Sequence, residues 1–322
     1  MRAPDFWDRP DSLAARLLTP LSHLYAQATR SRLKRPGWKA PVPVICIGNL
    51  VAGGAGKTPV ALAVMALLRA RGIDAHFLSR GHGGRIAGPV RVDPAAQGAA
   101  DVGDEPLLLA QAAPAWVARD RAAGARAAVA AGAQAIVMDD GFQNPGLAKD
   151  VSLVVVDGGY GFGNGLAMPA GPLREPVADG LARAQAAVLV GADRCGALAA
   201  IGARLPVLAA SLEPLEGARF AGQPVLAFAG IGRPEKFFET LRALEARLVD
   251  TVAFPDHHPY GATEIAGLVE RAQALGATPV TTRKDWVRLP ADLKSGIEVL
   301  DIALAWQDES TIDRLLAPLF PG

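Results

Sequence analysis

Residues 42–68 decide the fold, and they read VPVICIGNLVAGGAGKTPVALAVMALL. Val42–Ile47 is an apolar run of strand length, a glycine-rich loop follows, and Pro59–Ala70 has helical composition. Glycines let backbone N–H groups turn towards phosphate oxygens, and the N-terminus of the following helix adds a partial positive charge. The stretch therefore predicts a phosphate-binding loop, because a chance Gly-Lys-Thr in an ordinary turn would lack the flanking strand and helix.

The loop predicts a nucleoside triphosphate of the ATP type with Mg²⁺. Lys57 would reach the β- and γ-phosphates, and the Thr58 hydroxyl would bind Mg²⁺. One position departs from the GxxxxGK[ST] pattern, since Val51 replaces the first glycine. The predicted nucleotide-binding residues are Val51, Ala52, Gly53, Gly54, Ala55, Gly56, Lys57 and Thr58.

Outward from the loop, short apolar runs alternate with Ala- and Leu-rich segments of helical length. Strands buried on both faces and separated by helices predict an α/β fold of the P-loop NTPase type, with a parallel sheet flanked by helices. This first domain is expected over residues 41–213. Its predicted strands are Val42–Ile47, Ala75–Leu78, Ala135–Met138, Val151–Val156 and Ala186–Leu189, and its helices are Pro59–Ala70, Glu105–Ala112 and Arg119–Ala131.

A second, smaller α/β domain is expected over residues 214–322, after a connector at Ser211–Phe220. The final helix, Ser310–Leu319, could pack on either domain. The predicted strands are Val225–Ala229, Leu248–Phe254, Thr278–Thr281 and Ile297–Leu300, and the predicted helices before the final one are Glu235–Ala246 and Ala262–Leu275.

Composition excludes several classes of protein. The 322 residues suit two domains, and the net charge of +1 gives no global field for nucleic acid. Cys46 and Cys195 form no CxxC pair, which argues against a disulfide framework. Acidic residues interrupt the place of a secretory signal, and no stretch predicts a spanning helix. We expect a soluble or peripheral protein.

The first 40 residues predict a separate helical region. They carry eight Lys or Arg and three Asp, and Ser12–Leu33 has its leucines on one stripe. Asp11 is the expected N-cap, and Pro20 should kink or split the helix. An apolar stripe with a basic end suits an anionic membrane surface. It equally suits a helix packed on its own core with a solvated end. The basic residues are Arg30, Arg32, Lys34, Arg35 and Lys39.

Two acidic pairs are candidates for chemistry. Asp139 and Asp140 end a predicted strand, where a Walker B carboxylate would meet Mg²⁺ beside the loop. Asp104 and Glu105 open a predicted helix, which suits a metal ligand and a base, but taken alone the pair favours plain N-capping.

Two further side chains are weaker candidates. His257, in the second domain, could orient a carboxylate base if the cleft closes. Arg174 could neutralise a transferring phosphoryl group or pair with Glu175.

Taken together, these motifs resemble the tetraacyldisaccharide 4′-kinases, which phosphorylate a membrane-embedded acylated glucosamine disaccharide in lipid A synthesis. The resemblance runs over nearly the whole chain. Its motifs are GNL at 48–50, GGAGKTP at 53–59, LSRG at 78–81, GDEP at 103–106, DDGFQ at 139–143, PAGPLREP at 169–176, FAGIGRP at 228–234, DH at 256–257 and KDW at 284–286.

The resemblance implies roles for these residues. Lys57 and Thr58 would bind ATP and Mg²⁺, Asp104 would be the base with His257 as its partner, and Arg174 would be a transition-state or positioning group. It also implies two domains hinged around a cleft and a peripheral location on the cytoplasmic face of the bacterial inner membrane, reached through the N-terminal helix. No nucleic-acid or protein partner is implied. The implied metal ligands are Thr58, Glu105, Asp139 and Asp140.

Three positions depart from the family pattern: His82, Asn144 and Arg283. We expect none of them to touch a residue assigned to chemistry. Two rival functions remain, a membrane-associated P-loop ATPase switch and a nucleotide-dependent ligase. The switch proteins have a second lysine before the glycines, where this chain has Ala52.

Overall fold

The structure is a computed structural model that describes residues 4–9 and 11–321. Thirteen strands form two sheets within those residues. The strands are β1 Val44–Gly48, β2 Ala75–Ser79, β3 Val90–Arg91, β4 Ala115–Val117, β5 Ala135–Asp139, β6 Val151–Asp157, β7 Ala186–Val190, β8 Val207–Pro214, β9 Pro224–Ala229, β10 Arg247–Ala253, β11 Thr278–Thr282, β12 Glu298–Leu300 and β13 Ile302–Trp306.

Helices cover both faces of the large sheet. The α-helices of the described residues are α1 Leu13–Leu33, α2 Lys57–Ala70, α3 Ala99–Val102, α4 Asp104–Ala110, α5 Arg121–Ala130, α6 Val177–Leu181, α7 Ala197–Ile201, α8 Pro234–Ala243, α9 Ala262–Ala274, α10 Arg283–Trp286 and α11 Glu309–Leu316.

The large sheet has nine strands in the order β13-β8-β7-β6-β1-β5-β2-β4-β3, and the small sheet has four in the order β10-β9-β11-β12. Strands β8 to β4 of the large sheet are parallel to one another, and the two edge strands β13 and β3 are antiparallel. The predicted α/β fold class is therefore confirmed.

Strand β1 lies at the centre of the large sheet and is fully buried. Ile45 and Ile47 face α2, which contributes Val64 and Leu68 to the same apolar cluster. Ile47 is in register with Asp139 on the neighbouring β5. The glycine-rich loop and the aspartate pair therefore leave the same edge of the sheet, side by side.

Part of the expected connector at residues 211–220 is a strand of the large sheet, which corrects that expectation. The chain also returns to the large sheet after the small one. Strand β8 continues to Pro214, and β13 pairs with it from Ile302 to Trp306. Helix α11 buries Ile312 and Leu316 in the core of the large sheet. The small sheet is thus an insertion within the large unit.

Helix α1 is continuous from Leu13 to Leu33 and is not split at Pro20. A proline leaves the carbonyl one turn earlier without its helical partner. Here that carbonyl belongs to Arg16, which is exposed and therefore accessible to water. The N-cap is Ser12 rather than the expected Asp11, and its side chain makes no capping hydrogen bond.

Candidate active site

The glycine-rich loop forms an open cradle in front of α2. Gly53 and Gly56 have φ angles of +123° and +83°, which are accessible to glycine without strain. No atom of the described residues lies within 4 Å of the position that a Cβ on Gly53 or Gly54 would occupy. Val51, which departs from the pattern, is buried and bridges to Leu173. An apolar residue there anchors the loop to the neighbouring chain segment.

A lysine and an arginine converge on Asp140. Lys57 is buried with its Nζ 3.7 Å from Asp140 Oδ1, and Arg174 Nη1 donates to the same oxygen at 2.7 Å. Burial acts to raise the pKa of Asp140, but these two cations outweigh it and lower the pKa. Asp140 also has a φ of +50°, an unfavourable conformation for a residue with a side chain.

Asp139 has an unused oxygen inside the site. Its Oδ2 accepts a long hydrogen bond of 3.4 Å from Thr58 Oγ1, and its buried Oδ1 has no partner among the described residues. Burial, and then the negative charge of Glu105, raise the pKa of Asp139 to about 7. An orphaned carboxylate oxygen beside a threonine hydroxyl fits Mg²⁺, which takes one or two carboxylates plus phosphate and water oxygens.

Across the cleft, Asp104 of the large unit contacts His257, which lies in the loop after β10 of the small sheet. Asp104 begins α4 and is 4% exposed, and its Oδ2 accepts from His257 Nδ1 at 2.9 Å. Burial acts to raise the pKa of Asp104, but the hydrogen bond from His257 and the charges of Lys284 and Arg288 hold it at about 2. The same hydrogen bond raises the pKa of His257.

Glu105 is paired with a lysine from the small sheet. Lys284 Nζ lies 3.4 Å from Glu105 Oε1 and 4.0 Å from Asp104 Oδ2. Among the described residues, no group of three His, Cys, Asp or Glu side chains is arranged to hold a metal ion by itself. The metal role assigned to Glu105 stays a prediction.

Comparison with known proteins decides the family. A family model described as Tetraacyldisaccharide-1-P 4'-kinase (LpxK) matches residues 14–320. The chain belongs to this kinase family. The tetraacyldisaccharide 4'-kinase of Rhodospirillum centenum is 62% identical, covering 100% of this chain and 98% of that protein. The one of Rhodospirillum rubrum is 56% identical, with both chains fully covered.

The fold comparison agrees with the sequence comparison. The crystal structure of LpxK from Aquifex aeolicus, described as an "apo" form in complex with ATP, matches with a TM-score of 0.77 at 25% identity. It covers 96% of this chain and 100% of that chain. The predicted family resemblance is confirmed.

The structure also shows site residues of this family member that sequence reasoning missed. Glu175 is 2% exposed and accepts from Arg183 on both oxygens at 2.6 Å, so it does not pair with Arg174. Gln143 donates to Glu175 Oε1 and to Asn49 O, both at 2.9 Å. This network fixes the segment that carries Arg174. The family motifs contain Gln143, Glu175 and Arg174, but nothing in the sequence indicated Arg183.

Arg121 is a second missed residue. It begins α5 with 3% exposure and donates from Nη1 to Ala118 O at 2.5 Å. Its Nε has no partner among the residues that the structure describes. Burial and the nearby charge of Arg80 lower its pKa to about 10. An arginine within an Ala-rich helix gave no sequence signal of burial.

One departure from the family pattern does touch the site, which corrects the expectation that none would. The ring of His82 lies edge-on to the ring of His257, with centroids 6.0 Å apart. Asn144 and Arg283 lie elsewhere: Asn144 Oδ1 accepts from Gly146 N, and Arg283 pairs with Asp301.

Proposed function

We propose that this family member transfers the γ-phosphate of ATP to the 4′-hydroxyl of a tetraacylated glucosamine disaccharide 1-phosphate during lipid A synthesis. The observation that carries the proposal is the Asp104–His257 pair, which lies on the same cleft as the phosphate loop. A phosphotransferase needs one group to accept the proton of the acceptor hydroxyl and others to neutralise the moving phosphoryl group. The site has both kinds.

Each residue has a distinct part in the proposed transfer. Asp104 accepts the proton as the acceptor oxygen bonds to the γ-phosphorus, and the bond from that phosphorus to the β,γ-bridging oxygen breaks to release ADP. His257, hydrogen-bonded to Asp104, orients the carboxylate. Lys57 binds the phosphate oxygens, and Arg174 is placed by Asp140 to neutralise the transferring group.

The proposed magnesium site uses Thr58, Asp139 and Asp140. When bound, Mg²⁺ supplies positive charge at the β- and γ-phosphate oxygens. Asp140 is kept ionised by Lys57 and Arg174, and Asp139 is buried with a free oxygen.

We also propose that the small sheet and its helices act as a lobe that closes on the phosphate loop. Lobe contacts support this on both sides of the cleft. Asp157, at the end of β6, accepts from Lys236 at 2.8 Å and from Arg233, and Glu105 meets Lys284. In the closed arrangement His257 contacts Asp104, as it does here, and water is excluded from the reacting groups.

Helix α1 supports a membrane-surface location for this chain. Its buried residues are small or polar, and they include Ser22, whose Oγ donates to Ala167 O at 2.7 Å. Four of its six leucines face outward with exposures of 52–71%: Leu13, Leu17, Leu21 and Leu24. Burying a leucine fully contributes on the order of 1.5–3 kcal/mol, so this face favours an apolar environment such as the acyl region of a bilayer.

The basic end of α1 would face the anionic lipid headgroups. Arg32, Lys34 and Arg35 are exposed, whereas Arg30 forms an ion pair with Asp179 at 2.6 Å. No helix of the described residues is both long and apolar enough to cross a membrane. We therefore propose peripheral binding to the cytoplasmic face of the inner membrane, with the lipid substrate reached from the surface.

The deciding experiment measures transfer of radiolabelled γ-phosphate from ATP to the detergent-dispersed tetraacyl disaccharide 1-phosphate, beside an acceptor that lacks the 4′-hydroxyl. We expect transfer to the first acceptor only. Lys57→Ala should lower the rate hundreds-fold, on the order of 3–4 kcal/mol, with an unchanged circular dichroism spectrum. Lys39→Ala is the control, because Lys39 pairs on the surface with Asp150. ATP hydrolysis without transfer would instead favour the ATPase switch.

A further inference from the structure

We propose that Arg288 is a positioning residue that holds both members of the Asp104–His257 pair. The inference rests on the proposed role of that pair and goes beyond it. Arg288 lies just after α10, in the small lobe, and its side chain is 5% exposed. Its guanidinium reaches both the base and the loop that carries the histidine.

The first contact is with the base itself. Arg288 Nε lies 3.7 Å from Asp104 Oδ2, the oxygen that also accepts from His257 Nδ1. Both charged groups are almost fully buried, so their attraction is weakly screened. Arg288 therefore favours the ionised carboxylate and draws it towards the small lobe, where His257 lies.

The second set of contacts fixes the backbone on both sides of His257. Arg288 Nη2 donates to Gly230 O at 2.8 Å, and the same carbonyl accepts from the backbone N–H of His257 at 3.1 Å. Arg288 Nη1 donates to His258 O at 3.0 Å. His257 has a φ of +57°, which a non-glycine residue keeps only when its surroundings impose it. Arg288 is part of those surroundings.

Arg288 is itself held in place by a buried carboxylate. Asp285 is fully buried and accepts from Arg288, and it also accepts from the hydroxyl of Tyr260 and the N–H of Gly230, both at 2.8 Å. A Cβ on Gly230 would lie 2.9 Å from the Tyr260 hydroxyl, so this close approach requires glycine. The guanidinium is thus preorganised rather than adaptable.

Charge alone would not reproduce this arrangement. An arginine presents five N–H donors in a planar fork, whereas a lysine places one compact charge on a flexible chain. Arg288→Lys keeps the charge near Asp104 but cannot hold Gly230 O, His258 O and Asp285 at once. This substitution therefore separates positioning from simple electrostatic stabilisation.

The test compares Arg288→Lys and Arg288→Gln with Arg283→Gln in the full chain. Arg283 is the matched control, because it lies five residues before Arg288, at the start of α10, but pairs with Asp301. We expect both Arg288 variants to lower kcat on the order of 10- to 100-fold, with the KM for ATP within twofold. Arg283→Gln should keep a kcat close to that of the wild type. A normal kcat in Arg288→Lys would overturn the proposal.

A second comparison shows whether Arg288 acts through the pair. In a His257→Ala background, Arg288→Lys should lower kcat by a smaller factor than in the wild type, because residues that act as one unit are not additive. An undiminished loss in that background would mean a separate structural role and would also overturn the proposal.

A spectroscopic readout keeps this proposal apart from the proposed function. The ¹⁵N signals of His257 in histidine-labelled protein report its hydrogen bond to Asp104 with no turnover. We expect them to move in Arg288→Lys or, if that variant does not fold, in Arg288→Gln. Unmoved signals would overturn the positioning role. Full activity of His257→Ala would instead refute the role of the pair. The ¹⁵N signals of His257 would then still show whether Arg288 positions that residue.

Discussion

Two buried carboxylates of the site, Asp104 and Asp139, have pKa values shifted in opposite directions. Burial acts to raise both, but Asp104 is surrounded by His257, Lys284 and Arg288, which lower its pKa to about 2. Asp139 instead faces Glu105, and its pKa rises to about 7. The protein's own cations thus keep Asp104 ionised, whereas Asp139 needs a bound cation to favour its ionised form. Opposite pKa shifts of this kind allow one site to hold two acids with different roles.

At the same scale, we predict that Asp104 and His257 act as one unit. Asp104→Ala and His257→Ala should each lower kcat, and the double variant should lose far less than the product of the two losses. The measurement is a double-mutant cycle on kcat for transfer to the dispersed acceptor.

The adjacent histidine supplies the control for this cycle. His258 Nε2 contacts Glu264 Oε2 at 2.7 Å, and its ring stacks on Phe254. His258→Ala should therefore leave kcat much less affected than His257→Ala. Multiplicative losses in the cycle would refute the pair, and a full loss confined to His258→Ala would move the role to that residue.

The raised pKa of His257 also predicts a pH-dependent contribution to stability. A group whose pKa is higher in the folded state stabilises the fold below its unfolded value, here 6.5, and that contribution is lost as the pH rises through the folded value. The contribution of Asp104 is lost only at acidic pH, as the pH falls through about 2, so it is constant above pH 5.

The substitution that measures this is His257→Asn, since asparagine tolerates a positive φ and cannot be protonated. We expect the drop in Tm relative to the wild type to be largest near pH 6 and smaller near pH 9. A drop in Tm that grows with pH would contradict the raised pKa.

At the scale of elements, α1 presents large apolar residues to the outside and small residues to the protein. Four of its six leucines are exposed, and its buried residues are Ala15, Ser22, Ala26 and Thr29. The sequence pattern marked an apolar stripe but could not say whether that stripe faced the protein. The structure orients the stripe outward, because small residues allow close approach to the 167–170 segment.

We predict that the basic end of α1 strengthens binding to anionic vesicles. Reversing Arg32, Lys34 and Arg35 to Glu should weaken binding, since about 1 kcal/mol per basic residue is lost and repulsion replaces it. Arg30 is omitted because it is paired with Asp179. Co-sedimentation with vesicles over a salt series measures the effect, and high salt should reduce wild-type binding towards that of the variant.

A second triple variant separates local charge from net charge. Arg91, Arg242 and Arg247 are exposed on other parts of the surface, and reversing them changes the total charge by the same amount. This control should bind vesicles like the wild type. Equal, salt-insensitive binding by all three proteins would show that the basic end of α1 is merely solvated.

At the scale of the whole molecule, the parts that sequence could predict are those encoded locally. The strand, the glycine loop and Lys57-Thr58 are contiguous, and Asp139 is the last residue of its strand. The central strands are buried on both faces, so each appears in the sequence as a continuous hydrophobic run that can be identified locally. The family motifs then joined Asp104 to His257, which are 153 positions apart.

The parts that sequence could not predict depend on distant partners. Strand β13 is recognisable only by its pairing with β8, and β3 has two residues. Arg288 and Arg183 look like ordinary surface arginines until the chain folds around them. The contact between the rings of His82 and His257 forms only when the two lobes meet, so the position of His82 in the sequence does not indicate it.

One segment, residues 164–174, touches both the outward-facing helix and the nucleotide loop. Ala167 O and Ala170 N bind Ser22 of α1, while Pro172 O accepts from Ala52 N and Arg174 N donates to Leu50 O. The distance between the exposed leucines of α1 and the phosphate loop is therefore fixed, because no flexible tether lies between them. For an enzyme resting on a bilayer by that face, encounters with its lipid acceptor become lateral, and turnover follows the mole fraction of acceptor in the surface rather than its bulk concentration.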